Sequence, residues 1–153
     1  MKKQLTILLI GIILLSGCSK QENKKHVCSA VVDDLQDTMV LTADGDRVVF
    51  INEEIKLNWS DYEIATEEEK DIFESMMLEA FASLKETEGI KLNSRREEES
   101  LLILIEIDTQ VVEYSALKEM GMIVSENTEV AEISLEDSIA QLLNAGYECE
   151  IQK

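Results

Sequence analysis

The spacing of apolar residues changes several times along this chain, and each spacing predicts a different element. From Leu5 to Leu15 the chain is apolar, with only Thr6 and Gly11 as interruptions. From Arg47 to about Trp59, apolar and polar side chains alternate, which is the pattern of a strand with one buried face. After Thr66 the apolar residues recur at steps of three and four, which is the pattern of a helix that buries one stripe.

Three strands are predicted in the first half of the folded region. The first two cover residues 28–34 and 38–43, and residues 44–46 (Asp-Gly-Asp) then turn the chain into the long strand as a tight hairpin. A calcium loop is the alternative for this acidic turn, but it lacks the EF-hand spacing. Glu53 interrupts the apolar face of the long strand, and Val48 and Phe50 fall on its polar face. The apolar face is predicted to carry Val49, Ile51, Ile55, Leu57 and Trp59.

One long helix follows these strands. Residues 66–69 (Thr-Glu-Glu-Glu) form a capping-box sequence, and the acidic residues oppose the positive end of the helix dipole. Gly89 is predicted to end the helix. Its apolar stripe comprises Ile72, Phe73, Met76, Met77, Ala80, Phe81 and Leu84.

The C-terminal half predicts a second hairpin, two short helices and a last strand. The hairpin joins residues 90–96 to residues 101–107, and the second of these runs lacks alternation, so we expect an interior strand covered on both faces. Short helices are predicted over residues 113–120 and from the capping box at Ser134 to Gly146, with a strand at 147–151. The order β-β-β-α-β-β-α-α-β predicts an α+β fold with a largely antiparallel sheet of about five to six strands.

The N-terminal apolar run belongs to an export signal. It follows the basic pair Lys2-Lys3 and is too short for a membrane-spanning helix, which needs about 20 apolar residues. It closes on residues 15–18 (Leu-Ser-Gly-Cys), which resemble the lipobox of bacterial lipoproteins. That resemblance implies that residues 1–17 are cleaved and that Cys18 receives the lipid that anchors the protein to the extracytoplasmic face of a membrane. The alternative is an ordinary signal peptide in which Cys18 is incidental.

These assignments divide the chain into three parts. Residues 1–17 are the lipoprotein signal peptide, residues 18–26 are the lipidated cysteine and a flexible tether, and residues 27–153 are a single domain. Removing residues 1–17 takes away two lysines and no acidic residue, which lowers the formal net charge from −18 to −20. This acidity excludes a nucleic-acid binder of the usual basic kind. It suits a cationic partner, or solubility alone.

Two cysteines remain once Cys18 carries the lipid. Cys28 and Cys149 stand near the two ends of the domain, and an even pair outside the cytosol predicts a disulfide. A redox or metal-binding pair would need CxxC spacing or further ligands, and the only histidine, His26, lies in the predicted tether. Free thiols are the third alternative.

Several short runs of residues are spread along the whole domain: Leu41-Thr42, Gly45-Asp46-Arg47-Val48, Gly89-Ile90, Ile107-Asp108, Val112-Glu113-Tyr114, Ala116-Leu117 and Ala145-Gly146-Tyr147-Glu148. Together these runs resemble the YehR-like family of small bacterial lipoproteins, whose function is uncharacterised. The resemblance implies an α+β domain and no activity.

No sequence motif points to catalysis or to a cofactor. The chain contains no Gly-x-Ser-x-Gly, no His-Glu-x-x-His and no glycine-rich phosphate loop. We therefore expect a non-catalytic envelope module that contacts a protein, a peptide or a wall component, with Trp59 and Tyr62 as an exposed aromatic anchor. The competing interpretation of these two aromatic residues, which the sequence favours, is a lid over the core. The alternative function is cation binding at the acidic clusters 67–69 and 97–99, although no metal-ligand spacing is present.

Overall fold

The computed structural model describes residues 24–32, 35–119 and 132–152. Those residues form six strands, four helices and a short 3₁₀ turn at Trp59–Tyr62. The predicted signal peptide and Cys18 lie outside the described residues. The strands are β1 (Lys24–Val32), β2 (Leu35–Asp44), β3 (Arg47–Asn58), β4 (Ile90–Arg96), β5 (Ser100–Asp108) and β6 (Glu148–Gln152). The helices are α1 (Glu67–Ala80), α2 (Ala82–Lys85), α3 (Tyr114–Glu119) and α4 (Leu135–Asn144).

All six strands form one antiparallel sheet. Their order across the sheet is β4-β5-β3-β2-β1-β6, so the last strand of the chain returns to the edge beside the first. The α+β class, the order of the elements and the β4–β5 hairpin are confirmed. This topology places β3 and β5 in the interior of the sheet, where they form the floor of the core.

The helices that the structure describes pack on one face of the sheet only. Apolar side chains from α1, α2, α3 and α4 join a single core cluster with Leu101, Ile103, Ile105 and Ile107 of β5. The intervening Leu102 points to the opposite face, where the register places it between Lys56 and Arg95. It is nevertheless only 2% exposed. Both faces of β5 are therefore mostly buried, as expected, but the described helices cover only one of them. On the other face the aliphatic stems of long neighbouring side chains can bury a leucine.

Strand β1 begins earlier than the sequence indicated. Lys24, Lys25 and His26 belong to the strand and not to a flexible tether, and His26 lies opposite Leu41 on one side and Ile151 on the other. Strand β2 likewise starts at Leu35, so Asp37 is a strand residue and not part of a turn. Backbone hydrogen bonds to two neighbouring strands hold this polar segment, and such pairing leaves no hydrophobic signal in the sequence.

A β-bulge changes which side chains of β3 face the core. Thr42 pairs with Phe50 but Ala43 pairs with Val48, so Val49 is the extra residue of the bulge. Val48 is consequently buried in the same core as Ile51. The strict alternation expected from the sequence was wrong at this end of the strand.

The main helix is shorter than predicted and is broken at Phe81. Its N-terminus has the predicted capping box, in which the Glu69 amide donates to Thr66 Oγ1 at 3.3 Å and the Thr66 amide donates to Glu69 Oε2 at 2.8 Å. Phe81 leaves the helical conformation (φ −101°, ψ 11°), and α2 follows as a separate turn. Ile72 and Met76 of the predicted stripe are each 55% exposed. The helix therefore buries a narrower face, which includes Phe73 and Met77.

Ionic contacts hold α1 to the neighbouring edge strand. Arg96 of β4 lies 2.6 Å from Asp71 Oδ1 and 2.6 Å from Glu74 Oε2, and Ser94 donates a hydrogen bond to Glu74. These carboxylates raise the pKa of the Arg96 guanidinium. The charges fix the position of a helix that has no fully buried side chain of its own.

The β2–β3 hairpin also caps α4. The Leu135 amide donates to the Asp46 carbonyl oxygen at 2.6 Å, and the Glu136 amide donates to Asp46 Oδ1 at 3.0 Å. Ser134 donates to Asp46 Oδ2 at 2.9 Å and accepts from the Asp137 amide at 3.2 Å. The acidic turn therefore supplies the oxygen acceptors that the start of a helix needs.

Gly89 and Gly146 provide a prediction with a built-in control, because only one of them lies against other atoms. Both have positive φ, +86° and +94°, but a Cβ on Gly89 would lie 2.7 Å from the Val112 nitrogen, whereas none would meet a neighbour at Gly146. We expect Gly146→Ala to lower the free energy of unfolding by about 1 kcal/mol through backbone strain alone. Gly89→Ala adds a backbone clash and should cost at least about twice as much. Urea denaturation of both variants tests this, and equal losses would contradict the close approach.

Candidate functional site

A cavity of about 610 Å³ lies between the core face of the sheet and the helices. Its walls come from Phe81 at the break between α1 and α2, from Leu84 of α2, and from α4, which contributes Gln141 and Leu142. The break at Phe81 therefore shapes one side of the cavity. The floor is built by strands β2, β3 and β5 through Met39, Leu41, Ile51, Glu53, Ile105 and Ile107.

Glu53 is the one charged side chain among the described residues that line this cavity. It reaches the cavity because β3 alternates, which places residue 53 on the same face as Ile51 and Ile55. The register sets Met39 on one side of it and Ile105 on the other. A carboxyl group is thus inserted into an apolar floor.

Two further ionisable groups lie close to Glu53. Burial, and secondarily the negative charge of Asp37, raises the pKa of Glu53 from 4.5 to about 7. Burial also raises the pKa of Asp37, although a hydrogen bond from the Tyr147 hydroxyl to Asp37 Oδ2 opposes that rise. The pKa of Tyr147 is itself raised, by burial and then by its bond to Asp37. Asp37 Oδ1 is buried and has no hydrogen-bond partner among the described residues.

Glu53→Gln is expected to make the protein more stable at alkaline pH. The folded carboxyl, with its pKa near 7, holds a proton that the unfolded carboxyl has lost above 4.5. The unfolded state therefore binds fewer protons in this window, and wild-type stability falls as pH rises from about 5 to about 8. The difference in free energy of unfolding between variant and wild type should grow by about 2 kcal/mol over that range, measured by urea denaturation at each pH.

Glu54→Gln is the control for this experiment. Glu54 is the next residue of β3, faces the opposite side of the sheet and is exposed. Its replacement removes the same charge from the same strand and should leave the pH dependence of wild type in place. A parallel loss of the pH dependence in both variants would show that overall charge, and not burial of Glu53, causes it.

The cavity has room for an apolar molecule and offers it one carboxyl group. The side chains that line it include serine, glutamine and tyrosine beside Glu53, but no histidine, lysine or cysteine among the described residues. Sequence reasoning missed this site, although Glu53 was noted as a break in the apolar face of the strand. A lone carboxylate on a buried strand face was the signal, since strongly perturbed carboxyl groups concentrate at functional sites.

Trp59 belongs to a lid over the core, which is the interpretation that the sequence favoured, and is not an exposed anchor. It is only 5% exposed and its indole meets the Phe73 ring edge-on, with 6.2 Å between ring centroids. The prediction of an exposed pair is therefore wrong for Trp59, because the 3₁₀ turn directs the indole toward α1. Tyr62 is 38% exposed and packs on Phe73 at 4.8 Å, so the two aromatic residues share one neighbour and belong to the lid over the core.

The structure joins Cys28 and Cys149 in a disulfide. The two residues lie directly opposite each other on β1 and β6, with 4.0 Å between their Cα atoms. Cys28 is fully buried. The bond ties the edge strand β6 to the sheet.

Three glutamates of the acidic clusters make local contacts. Glu67 pairs with Lys70 at 2.7 Å, Glu69 completes the capping box, and Glu97 pairs with Arg95 at 3.4 Å. Among the residues placed by the structure, no group of three or more histidine, cysteine or acidic side chains is arranged to hold a metal ion.

In the part of the chain that the structure describes, no helix has both the length and the apolarity to cross a membrane.

Two solved structures share this fold. The Escherichia coli YehR protein superposes with a TM-score of 0.69 at 18% identity, over 85% of this chain and 92% of that one. A protein from Streptococcus pneumoniae TIGR4 superposes with a TM-score of 0.56 at 18% identity, over 98% of each chain. No curated protein matched the chain.

A family profile, described as a protein of unknown function (DUF1307), matches residues 22–148. This match runs from just before β1 to the start of β6 and so includes every element that lines the cavity. Together with the likeness to YehR, it confirms the family resemblance stated from the sequence. The chain belongs to the DUF1307 family, which is YehR-like in fold and of unknown function.

Proposed function

We propose that this protein is a lipid-anchored, non-catalytic binding module of the bacterial envelope, and that the cavity above β2, β3 and β5 is its ligand site. The observation that carries the proposal is the cavity itself. Its volume of about 610 Å³, its largely apolar walls and its few polar groups are the properties of sites for small molecules or for a short apolar segment of a larger partner.

A location outside the cytoplasm is supported by two independent features of the chain. The lipobox-like sequence ending at Cys18 implies an anchor, and the disulfide between Cys28 and Cys149 suits an oxidising compartment. Because β1 begins at Lys24, only residues 19–23 separate the lipidated cysteine from the sheet. That segment spans at most about 20 Å, so the cavity would lie close to the membrane surface.

The absence of catalysis is supported by the chemistry of the cavity lining. A serine nucleophile must donate its hydroxyl proton to a base, but the Ser138 hydroxyl in the lining donates to the Ser134 carbonyl oxygen, and no histidine or lysine lines the cavity in the described part of the chain. Glu53 is surrounded by aliphatic side chains on the floor, which suit holding a ligand.

The anchor is tested by mass spectrometry of the protein isolated from membranes. We expect the mature chain to begin at Cys18 with a mass increase for diacylglycerol, and Cys18→Ala to release the protein from the membrane fraction. An unmodified Cys18 in membrane-bound material would contradict the anchor.

The cavity is tested with the neutral dye Nile red, whose fluorescence rises in apolar surroundings. We expect the domain to bind the dye, and Gln141→Trp, which fills the cavity from α4, to weaken binding at least about tenfold. Ala140→Trp is the control, because Ala140 is exposed on the same helix and does not line the cavity. Equal binding by the two variants would place the dye elsewhere.

A further inference from the structure

We propose that the ligand is an amphiphilic cation: a molecule with an apolar body that fills the cavity and a single ammonium group that pairs with the Glu53 carboxylate. This inference rests on the proposed binding function and names the chemical class of its ligand. Nothing in the family assignment or in the likeness to YehR specifies it.

The position of Glu53 within the lining is the first argument. Met39 and Ile105 flank it across the sheet, and Ile51 stands beside it on the same strand. Because apolar side chains surround this carboxylate, a ligand bound to it also covers them, and an apolar body with one polar end suits the lining. A small hydrophilic cation would leave most of the lining in contact with water.

The negative charge in and near the cavity lining is the second argument. No lysine, arginine or histidine lines the cavity in the described part of the chain. Asp37 adds a second negative charge close enough to raise the pKa of Glu53, and the Tyr147 hydroxyl already donates a hydrogen bond to Asp37. A half-buried carboxylate in an apolar lining is costly unless it is paired, and an ammonium group would supply a partner.

Other head groups fit less well. An anionic amphiphile would meet Glu53 and Asp37 inside a chain with a formal net charge of −18. A neutral amphiphile would fill the apolar part but would leave Glu53 without a counter-charge. An ammonium group is attracted by the two carboxylates and gives Glu53 its counter-charge. Hydrogen-bond acceptors on Gln141 and Ser138 line the same cavity.

The pairing predicts a link between binding and protonation. The groups that face Glu53 in the described residues are Asp37 from β2 and Tyr147, which precedes β6. Because an ammonium binds only the ionised form of Glu53, whose pKa is about 7, affinity should rise about tenfold between about pH 6 and pH 8. A neutral amphiphile should show no such rise.

The test uses decylamine, decanol and decanoate, each below its aggregation concentration, as competitors of Nile red. The protein is residues 18–153 with Cys18→Ser, since the core, the caps and the disulfide all lie within residues 24–152. Cooperative thermal unfolding of every variant confirms that it is folded. At about pH 8 we expect decylamine to bind at least about tenfold more tightly than decanol, and decanoate to bind most weakly.

Two glutamate variants test whether Glu53 causes the preference for decylamine. Glu53→Gln should abolish both the preference for decylamine over decanol and the pH dependence of decylamine binding. Glu54→Gln, on the opposite face of the sheet, should leave all three affinities as in wild type. Decylamine that stays preferred in Glu53→Gln would overturn the assignment to Glu53.

The remaining outcomes separate the two proposals. If decanol or decanoate binds as tightly as decylamine, the cavity is a ligand site and the cationic class is wrong. If neither Nile red nor any of the three amphiphiles binds, the proposed function fails and this inference fails with it.

Discussion

Replacing Cys28 and Cys149 together by alanine is expected to lower the free energy of unfolding by about 4 kcal/mol. The disulfide joins residues separated by 121 positions, so it closes a loop that includes almost the whole domain. Such a long loop loses much chain entropy in the unfolded state, and removing the cross-link restores that entropy. Chemical denaturation of residues 18–153 under oxidising conditions measures the loss.

The location of the bond adds to its effect. Strand β6 is short, forms the edge of the sheet and pairs only with β1 among the described strands. Without the covalent link, β6 depends on that pairing and on contacts from α4. We therefore expect its amide protons to exchange faster in the double variant than those of β3 and β5.

Reduced wild-type protein is the control for the disulfide. With a reductant present, wild type should become about as unstable as the double variant, whereas the reductant should not change the variant itself. If the double variant equals oxidised wild type in stability, the disulfide contributes nothing and the chain-entropy argument is wrong for this domain.

Trp59→Ala is expected to lower the free energy of unfolding by about 3–5 kcal/mol, which is the second large effect. The indole packs against Phe73, its Nε1 donates to the Glu97 carbonyl oxygen at 3.3 Å, and the Lys70 ammonium lies 5.5 Å from the ring centroid. Alanine would leave a cavity under α1 and an unpaired carbonyl oxygen. Because Trp59 is the only tryptophan of the chain, the unfolding of the variant must be followed by circular dichroism.

Tyr62→Ala is the matched comparison for Trp59→Ala. Tyr62 also packs on Phe73 but is 38% exposed, so its removal should cost about 1 kcal/mol. A partner-binding role at this turn would instead leave both variants near wild-type stability. Similar small losses for the two variants would contradict the structural role of Trp59.

Local signals in the sequence were sufficient for most of the element order. The capping box at Thr66, the Asp-Gly turn at Gly45 and the hairpin between β4 and β5 depend on neighbouring residues, so a short window contains the information. The pairing of Cys28 with Cys149 followed from an even count once Cys18 was assigned to the lipid. The family resemblance added the same α+β class.

The extent of the strands and helices depended on contacts that no short window contains. Polar residues 24–26 are in a strand because two other strands pair with them, and Val48 enters the core because a bulge shifts the register. Phe81 interrupts the helix although its apolar spacing is helical. These outcomes are decided by backbone pairing and by packing between distant segments.

The sequence by itself determined the class of fold, the order of its elements, the strong acidity and the two cysteines that form the disulfide. Only the tertiary structure shows that Trp59 is buried and that a cavity lies between β2, β3, β5, α4 and the break after α1. It also shows the Glu53 carboxyl in that cavity and near Asp37, where burial and the charge of Asp37 raise the pKa of Glu53. The physical reason is that burial and charge proximity are properties of segments brought together by folding, and the chain order of residues does not specify them.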